Sequence, residues 1–474
     1  MVRRMVGLVL VGCSVQEPSK STGPSLVSVD SGDPPASETD PLPDDADPPA
    51  HDSAGPPSDS GTPPVDTGEP DPDPDPDPEP VGWNLCGADF RGTRSAGTPA
   101  DPIEPPSWPM VDAGTTAGAP TDVWDRYDCA PDTLETGPEV LYRFTVAEPG
   151  HFRAELQELG GSDVDLHLLQ APSVSGGLVS GCIARGHQRV EVSDLPAGEY
   201  WLALDSWSNG TTEFAGEYEV AFEWIVPEVW REVAVTEGLT WRTLRTADDG
   251  GQTFQVLEVD LSGPRQMQPA DHPRCSTVAD RADALGAVAG INGGFFGTSD
   301  CASLDFVKAG GTVLSYNRLN GLAQRAVGWT GAGLTHDWVE PGVDWSAVTD
   351  GISGYPSLVT GGTAAAEREP GLPVVSSTDW SAHPRSALGI TSSGTLLMVT
   401  ADGRTAAGAG LTTPRLAEWM VDLGAVEALN LDGGGSTTMV VPGCWVDGVI
   451  NHPSDNGVAD WRGARTVADG LYIY

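Results

Sequence analysis

The first eighty residues limit what this chain can become. Residues 1–80 hold 18 of the 41 prolines, none of the 15 tryptophans, and 17 acidic residues against three basic ones. Repeated proline removes backbone donors, and so few apolar groups cannot offset the entropy of ordering. The stretch from Ser14 to Pro80 ends in Asp71-Pro-Asp-Pro-Asp-Pro-Asp-Pro-Glu-Pro80. It reads as a disordered, self-repelling stalk biased toward extended polyproline II. A calcium site on this run is the weaker reading, because extended chain does not converge carboxylates on one ion. The whole chain carries a formal charge of −43 and only two lysines, which argues against nucleic acid as a partner. No apolar run reaches the ~18 to 20 residues of a membrane-spanning helix.

Ahead of the stalk, Arg3 and Arg4 form a positive start and residues 5–11 a compact apolar stretch, the pattern of an export signal. Leu10-Val-Gly-Cys13 resembles the lipobox of bacterial lipoproteins, which implies lipidation at Cys13. The expectation is a lipid-anchored protein of the bacterial cell envelope, facing outside the cytoplasm, with the membrane engaged through the anchor alone. Domain limits follow: 1–13 signal, 14–82 stalk, 83–226 first folded region, 227–474 second.

In the first folded region, Val140–Val146, His151–Leu156, Asp165–Leu169, Tyr200–Leu204 and Tyr218–Phe222 alternate at period two between Gly, Pro, Asp and Ser turns. That is the pattern of an antiparallel β-sandwich. Ser162-Asp-Val-Asp-Leu-His-Leu168 and Leu195-Pro-Ala-Gly-Glu-Tyr-Trp-Leu-Ala-Leu-Asp205 resemble the bacterial pre-peptidase C-terminal type of domain, which implies an accessory role. Asp163, Asp165 and Asp205 are expected to be solvated strand-end carboxylates, with calcium ligation the less favoured reading. His167 alternates with Leu166 and Leu168, so it is expected at the surface or partly packed.

The second region carries three Gly-rich turns, each after an apolar run: Asn292-Gly293-Gly294-Phe295-Phe296, Asp402-Gly403-Arg404, and Asn430-Leu-Asp432-Gly433-Gly434-Gly435-Ser436-Thr437. A strand ending in Asn or Asp and then glycine places a polar group at a sheet edge and lets backbone approach a ligand. Consecutive amides at Gly433–Ser436 could nest an anion, with the Ser436 and Thr437 hydroxyls as further donors. Between the second and third turns, Thr413 as cap, Pro414 and a stop at Gly424 predict a helix with Leu416, Met420 and Leu423 on one face. The result is a strand–helix–strand unit in a β-rich α+β domain.

These turns, with His383-Pro-Arg385-Ser-Ala-Leu-Gly-Ile390 and Asn451-His-Pro-Ser-Asp455, occur in the order found in the phosphodiester glycosidases, and the region resembles that family. The resemblance implies hydrolysis of a sugar-1-phosphodiester, such as a phosphodiester-linked saccharide or cell-surface glycopolymer, releasing sugar and a phosphomonoester. The closing Trp461-Arg-Gly-Ala-Arg465 is looser than the family pattern, leaving Arg462 and Arg465 as alternatives.

Residue chemistry fits that reaction. Arg385 and Arg404 are candidates for the phosphate, since guanidinium offers a planar fork to an oxyanion whose charge grows as it leaves. Asp432 leads as the catalytic carboxylate and Asp402 follows. Asn292, Asn430 and Asn451 are candidates for sugar hydroxyls, with Phe295 or Phe296 stacking on the ring and His383 carrying a proton. No metal-ligand spacing is present, so no cofactor is expected, with a divalent cation such as calcium at Asp402 and Asp432 left open. Six cysteines follow Cys13; Cys275 and Cys301 bracket the Asn292 turn and form the preferred disulfide. The alternatives to an enzyme of this kind are a non-catalytic glycan- or phosphoglycan-binding lipoprotein, or a different hydrolase or transferase of surface polymers.

Overall fold

In the computed structural model, residues 95–474 are described, apart from 106–107, 109, 159, 319–320, 375–380 and 445. The short pair Asn84–Leu85 and Ala88–Asp89 is described as well. Cys13, Cys86 and the segment 14–80 lie outside the described residues.

Alternating side chains give a strand one buried face, and two such sheets bury theirs against each other. Met110–Thr115, Glu217–Ile225, Gly150–Glu158 and Arg189–Leu195 form one antiparallel sheet in that order. Glu139–Val146, Gly198–Ser206, Val164–Ser175 and Leu178–Gly186 form the other. Tyr142, Phe144, Phe152, Leu168, Leu202 and Phe222 fill the space between them, with Phe144 stacked on Phe152 at 5.4 Å.

His167, Asp165 and Asp205 depart from expectation. His167 does face away from that core, but Trp124, Tyr127 and Trp201 cover its side of the sheet. It is fully buried and stacked on Tyr127 at 3.6 Å between centroids. Asp165 and Asp205 are likewise buried, not solvated. Register sets them opposite each other on neighbouring strands, where Asp205 accepts from Tyr127 Oη at 2.6 Å and Asp165 pairs with Arg185. The loop that covers them is stapled by Cys129–Cys182.

The second region is built on a nine-stranded antiparallel sheet that starts at Arg231–Thr236. Near its middle, Arg385–Thr391 lies between Leu396–Ala401 and Ala425–Asn430 and is antiparallel to both. The two flanking strands are therefore parallel, and the helix Thr413–Asp422 carries the chain between them. Its cap is Thr412, one residue earlier than expected, accepting from Arg415 N at 3.3 Å. Thr413 thus takes the first helical position and is buried. Leu416, Ala417 and Met420 pack against Leu358, Val359 and Ala428 of the sheet.

A four-stranded sheet joins Met267–Ser276, Val467–Ile473, Ala289–Asn292 and Met439–Val440. It shares one core with the inner strands of the nine-stranded sheet through Ile291, Leu388, Leu429, Leu431 and Leu471. A second helix, Val278–Leu285, capped by Thr277, packs on this smaller sheet.

Candidate active site

Strand register alone brings the motifs together. Arg385 pairs with Ala401, and Ala387 pairs with Asn430. The start of one strand therefore lies beside the ends of its two neighbours. His383-Pro-Arg385, Asp402-Gly-Arg404 and Asp432-Gly-Gly-Gly-Ser436 emerge at the same sheet edge. The third turn then crosses to the smaller sheet, where Thr438 N donates to the buried Asn292 Oδ1 at 3.1 Å.

Asn292 ties the two sheets with every polar atom of its side chain. Oδ1 also accepts from Ser386 Oγ at 2.7 Å, while Nδ2 donates to Asp432 O at 2.8 Å and Gly293 O at 3.1 Å. Asn430 Nδ2 donates to Tyr355 O and Leu431 O, and Asn451 Oδ1 accepts from Met439 N at 2.8 Å. All three asparagines are buried. They hold the turns in place rather than facing open space.

Gly293 and Gly294 make room for two carboxylates that lie outside every motif of the sequence. A Cβ on Gly293 would stand 1.7 Å from Asp469 Oδ1, and one on Gly294 would stand 2.0 Å from Asp305 Oδ2. Those carboxylates accept the Gly294 and Phe295 amides. Burial pushes Asp305 up to about 8 and Asp469 up to about 6, and the neighbouring Asp432 charge pushes both the same way. The only signal in the sequence was the glycine pair itself.

Asp432 is half-buried. Burial raises its pKa, opposed by the Ser436 hydroxyl, the Gly433 amide at 2.9 Å and the charges of Arg465 and Arg404. Both guanidinium groups lie against the Gly434–Gly435 step. A Cβ on Gly434 would be 2.9 Å from Arg404 Nη2, and one on Gly435 would be 2.5 Å from Arg465 Nη2. Arg404 holds a left-handed backbone (φ 64°) and is exposed, with Nη2 3.1 Å from His383 Nδ1. Arg465 is oriented by Asp455, through Nε to Oδ2 at 3.0 Å and Nη2 to Oδ1. Desolvation, then Arg404 and Arg385, hold His383 below its ordinary pKa, which favours the neutral ring.

Other expected residues have different surroundings. Arg385 is buried and donates through Nε to Leu411 O at 2.8 Å and through Nη2 to Ser381 O at 2.9 Å. Asp402 is fully buried and accepts from His452 N at 3.0 Å and His452 Nδ1 at 2.6 Å. Asn451 Nδ2 adds a longer contact of 3.4 Å. Those three donors make it a poor partner for a cation shared with Asp432.

The Gly433–Thr437 turn is a 3₁₀ turn over Gly434–Ser436 and less of an anion nest than expected. Gly433 N is held by Asp432, Gly434 N by Pro384 O at 2.8 Å, and Ser436 N and Thr437 N by Gly433 O and Gly434 O. The Ser436 and Thr437 hydroxyls are buried within the turn. Of the two phenylalanines, Phe296 lines an adjoining cavity of about 680 Å³ whose wall also includes Arg274, Ser299, Arg465 and the Cys275–Cys301 disulfide. That disulfide is formed as expected, with S–S 2.05 Å. Arg462 instead donates to Leu156 O of the sandwich at 2.8 Å, so Arg465 is the arginine at the site.

Residues 285–474 match the phosphodiester glycosidase family. The mouse N-acetylglucosamine-1-phosphodiester alpha-N-acetylglucosaminidase is 27% identical over 236 residues, 47% of this chain and 43% of the relative. The SPbeta prophage-derived uncharacterized protein YomE of Bacillus subtilis is 37% identical over 67 residues, 14% of this chain and 10% of the relative. The chain thus spans less than half the length of either curated relative. Among solved structures, the zebrafish N-acetylglucosamine-1-phosphodiester alpha-N-acetylglucosaminidase catalytic domain, auto-inhibited by its pro-peptide, aligns with TM-score 0.40 and 19% identity. It covers 52% of this chain and 81% of that one. Residues 285–474 form a domain of the phosphodiester glycosidase family.

Proposed function

We propose that this protein hydrolyses the glycosidic bond of sugar-1-phosphodiesters, releasing the sugar and a phosphomonoester. The observation that carries the reading is one carboxylate, Asp432, set beside two guanidinium groups over a glycine step inside a domain of this family. The phosphate lies against Arg404 and Arg465, and the sugar extends toward the cavity at Phe296.

Cleavage breaks the bond between C1 and the phosphate oxygen, and the electron pair leaves with phosphate. The leaving group gains negative charge in the transition state, where two fixed cations favour it over the ground-state diester. Such a leaving group needs little protonation, so one carboxylate can suffice. Asp432 serves the attack at C1, as nucleophile or as base toward water. His383 sets the Arg404 fork, Asp455 sets Arg465, and Arg385 holds the loops at Ser381 and Leu411 that frame them.

The test is incubation of the whole chain with a panel of sugar-1-phosphodiesters, reading released reducing sugar. Release from at least one member supports the reading; no release from any, by folded protein, contradicts it.

The same reading places the enzyme outside the cytoplasm. Cys129–Cys182 and Cys275–Cys301 suit an oxidising compartment, and among the described residues no helix is long and apolar enough to cross a membrane. Anchoring rests on the Leu10–Cys13 motif. Cys13→Ser should move the protein from the membrane fraction to the soluble one, and an unchanged distribution would refute the anchor.

A further inference from the structure

Three contacts fasten the Asn451–Arg465 segment to the β-sandwich. Arg153, fully buried on the Gly150–Glu158 strand, hydrogen-bonds His452 Nε2 through Nη1. Arg189 Nη1 donates to Ala459 O at 3.0 Å, and Arg462 Nη2 donates back to Leu156 O at 2.8 Å. Trp461 fills the space between, with the Arg153 guanidinium 5.6 Å and the His452 ring 5.3 Å from its centroid. Glu191 at 3.3 Å and Glu223 at 3.8 Å, both on the sandwich, compensate the Arg153 charge.

This arrangement dictates the state of His452. Guanidinium only donates, so Nε2 must accept, and the ring proton sits on Nδ1, where Asp402 Oδ2 receives it at 2.6 Å. The ring is clamped from both sides, one clamp belonging to each folded region. Three residues on, Asp455 orients Arg465 beside the Gly434–Gly435 step.

We propose that Arg153 is a positioning residue for the glycosidase site, making the β-sandwich an integral part of the catalytic apparatus and not a detachable spacer. By fixing the tautomer and orientation of His452, it sets the backbone from Asn451 to Asp455 and hence the placement of Arg465. The effect on Arg465 rests on the reading that this arginine holds the substrate phosphate; the effect on His452 does not.

Two measurements on the full chain test this. The first is nitrogen-15 NMR of the histidine rings, with the His452 signal identified by its loss in His452→Gln. Wild type should show a single Nδ1–H tautomer, and Arg153→Met should lose it. The second is the Kd for inorganic phosphate, expected to weaken about tenfold or more in Arg153→Met, since small misplacement of a binding group is costly. Arg153→Lys keeps the charge but not the fork, should fall between the two, and decides the matter if Arg153→Met does not fold.

A contact that only glues the regions together would lower Tm while leaving the tautomer and phosphate affinity at wild-type values. That outcome overturns the proposal. If wild type binds no phosphate, the reading of Arg465 fails, and the histidine signal still decides whether Arg153 sets His452.

Discussion

Asp402 receives both the backbone N–H and the ring Nδ1–H of His452, at 3.0 and 2.6 Å, from fifty residues further along the chain. A carboxylate at a strand end before glycine reads from sequence as a catalytic acid or base. Here its work is to pin a second segment to the sheet edge. Asp432, at the corresponding end of the parallel neighbour, faces Arg404 and Arg465 instead. Two Asp-Gly turns at one edge therefore set their carboxylates in different surroundings.

The glycines of the site should separate stability from activity. At Gly293 a methyl group meets the buried Asp469 carboxylate, which has nowhere to retreat, so Gly293→Ala should destabilise by about 3 kcal/mol. At Gly434 the methyl group meets the exposed tip of Arg404, which can swing away. The left-handed backbone there (φ 62°) adds about 1 to 2 kcal/mol. Gly434→Ala should therefore lose less stability and more turnover. Thermal melts and kcat/KM of the two variants would check this; equal losses of both would contradict it.

Much of this was legible in the chain. The five alternating segments from Val140 to Phe222 are strands of two facing sheets, and the helix before Gly424 starts one residue from its expected cap. The Cys275–Cys301 bracket around Asn292 is a disulfide. What stayed hidden depends on distant partners. No local pattern tells that the face bearing His167 is covered by the 124–127 loop, or that Arg153 meets a histidine 299 residues away. Asp305 and Asp469 lie in segments without motif character, and only Gly293 and Gly294 register their presence.

Those two buried acids imply a pH dependence. Asp305 is raised from 3.8 to about 8 and Asp469 to about 6, so the folded state holds protons that the unfolded chain releases near pH 4. Unfolding then releases protons across this window, and stability falls as pH rises. Their contribution is full below about pH 4 and is lost by about pH 6 for Asp469 and about pH 8 for Asp305. Asp305→Asn mimics the neutral acid and should flatten the decline of Tm between pH 6 and 8. A decline as steep as that of wild type would show that Asp305 is already ionised.

Removing the Cys275–Cys301 bridge should act on stability and on the cavity wall together. The bond spans 26 residues, a loop whose closure is worth about 3.5 kcal/mol in the chain-entropy account. Cys275→Ser with Cys301→Ser should lower stability by that order and raise KM, because both residues line the cavity next to Arg465. Denaturant melts and KM measured on the double variant provide the check. A full loss of stability with unchanged KM would remove this cavity from the sugar path.

In the proposed reaction the bond broken lies on the sugar side of the phosphate, with Asp432 serving the attack. Hydrolysis of a sugar-1-phosphodiester in water enriched in oxygen-18, followed by phosphorus NMR of the phosphomonoester, tests this directly. Attack at C1 leaves the phosphomonoester free of label, and Asp432→Asn, folded by circular dichroism, should abolish its formation while still binding the diester. Label in the phosphomonoester would make the protein a phosphodiesterase that cleaves at phosphorus, and near wild-type turnover by Asp432→Asn would take Asp432 out of the reaction.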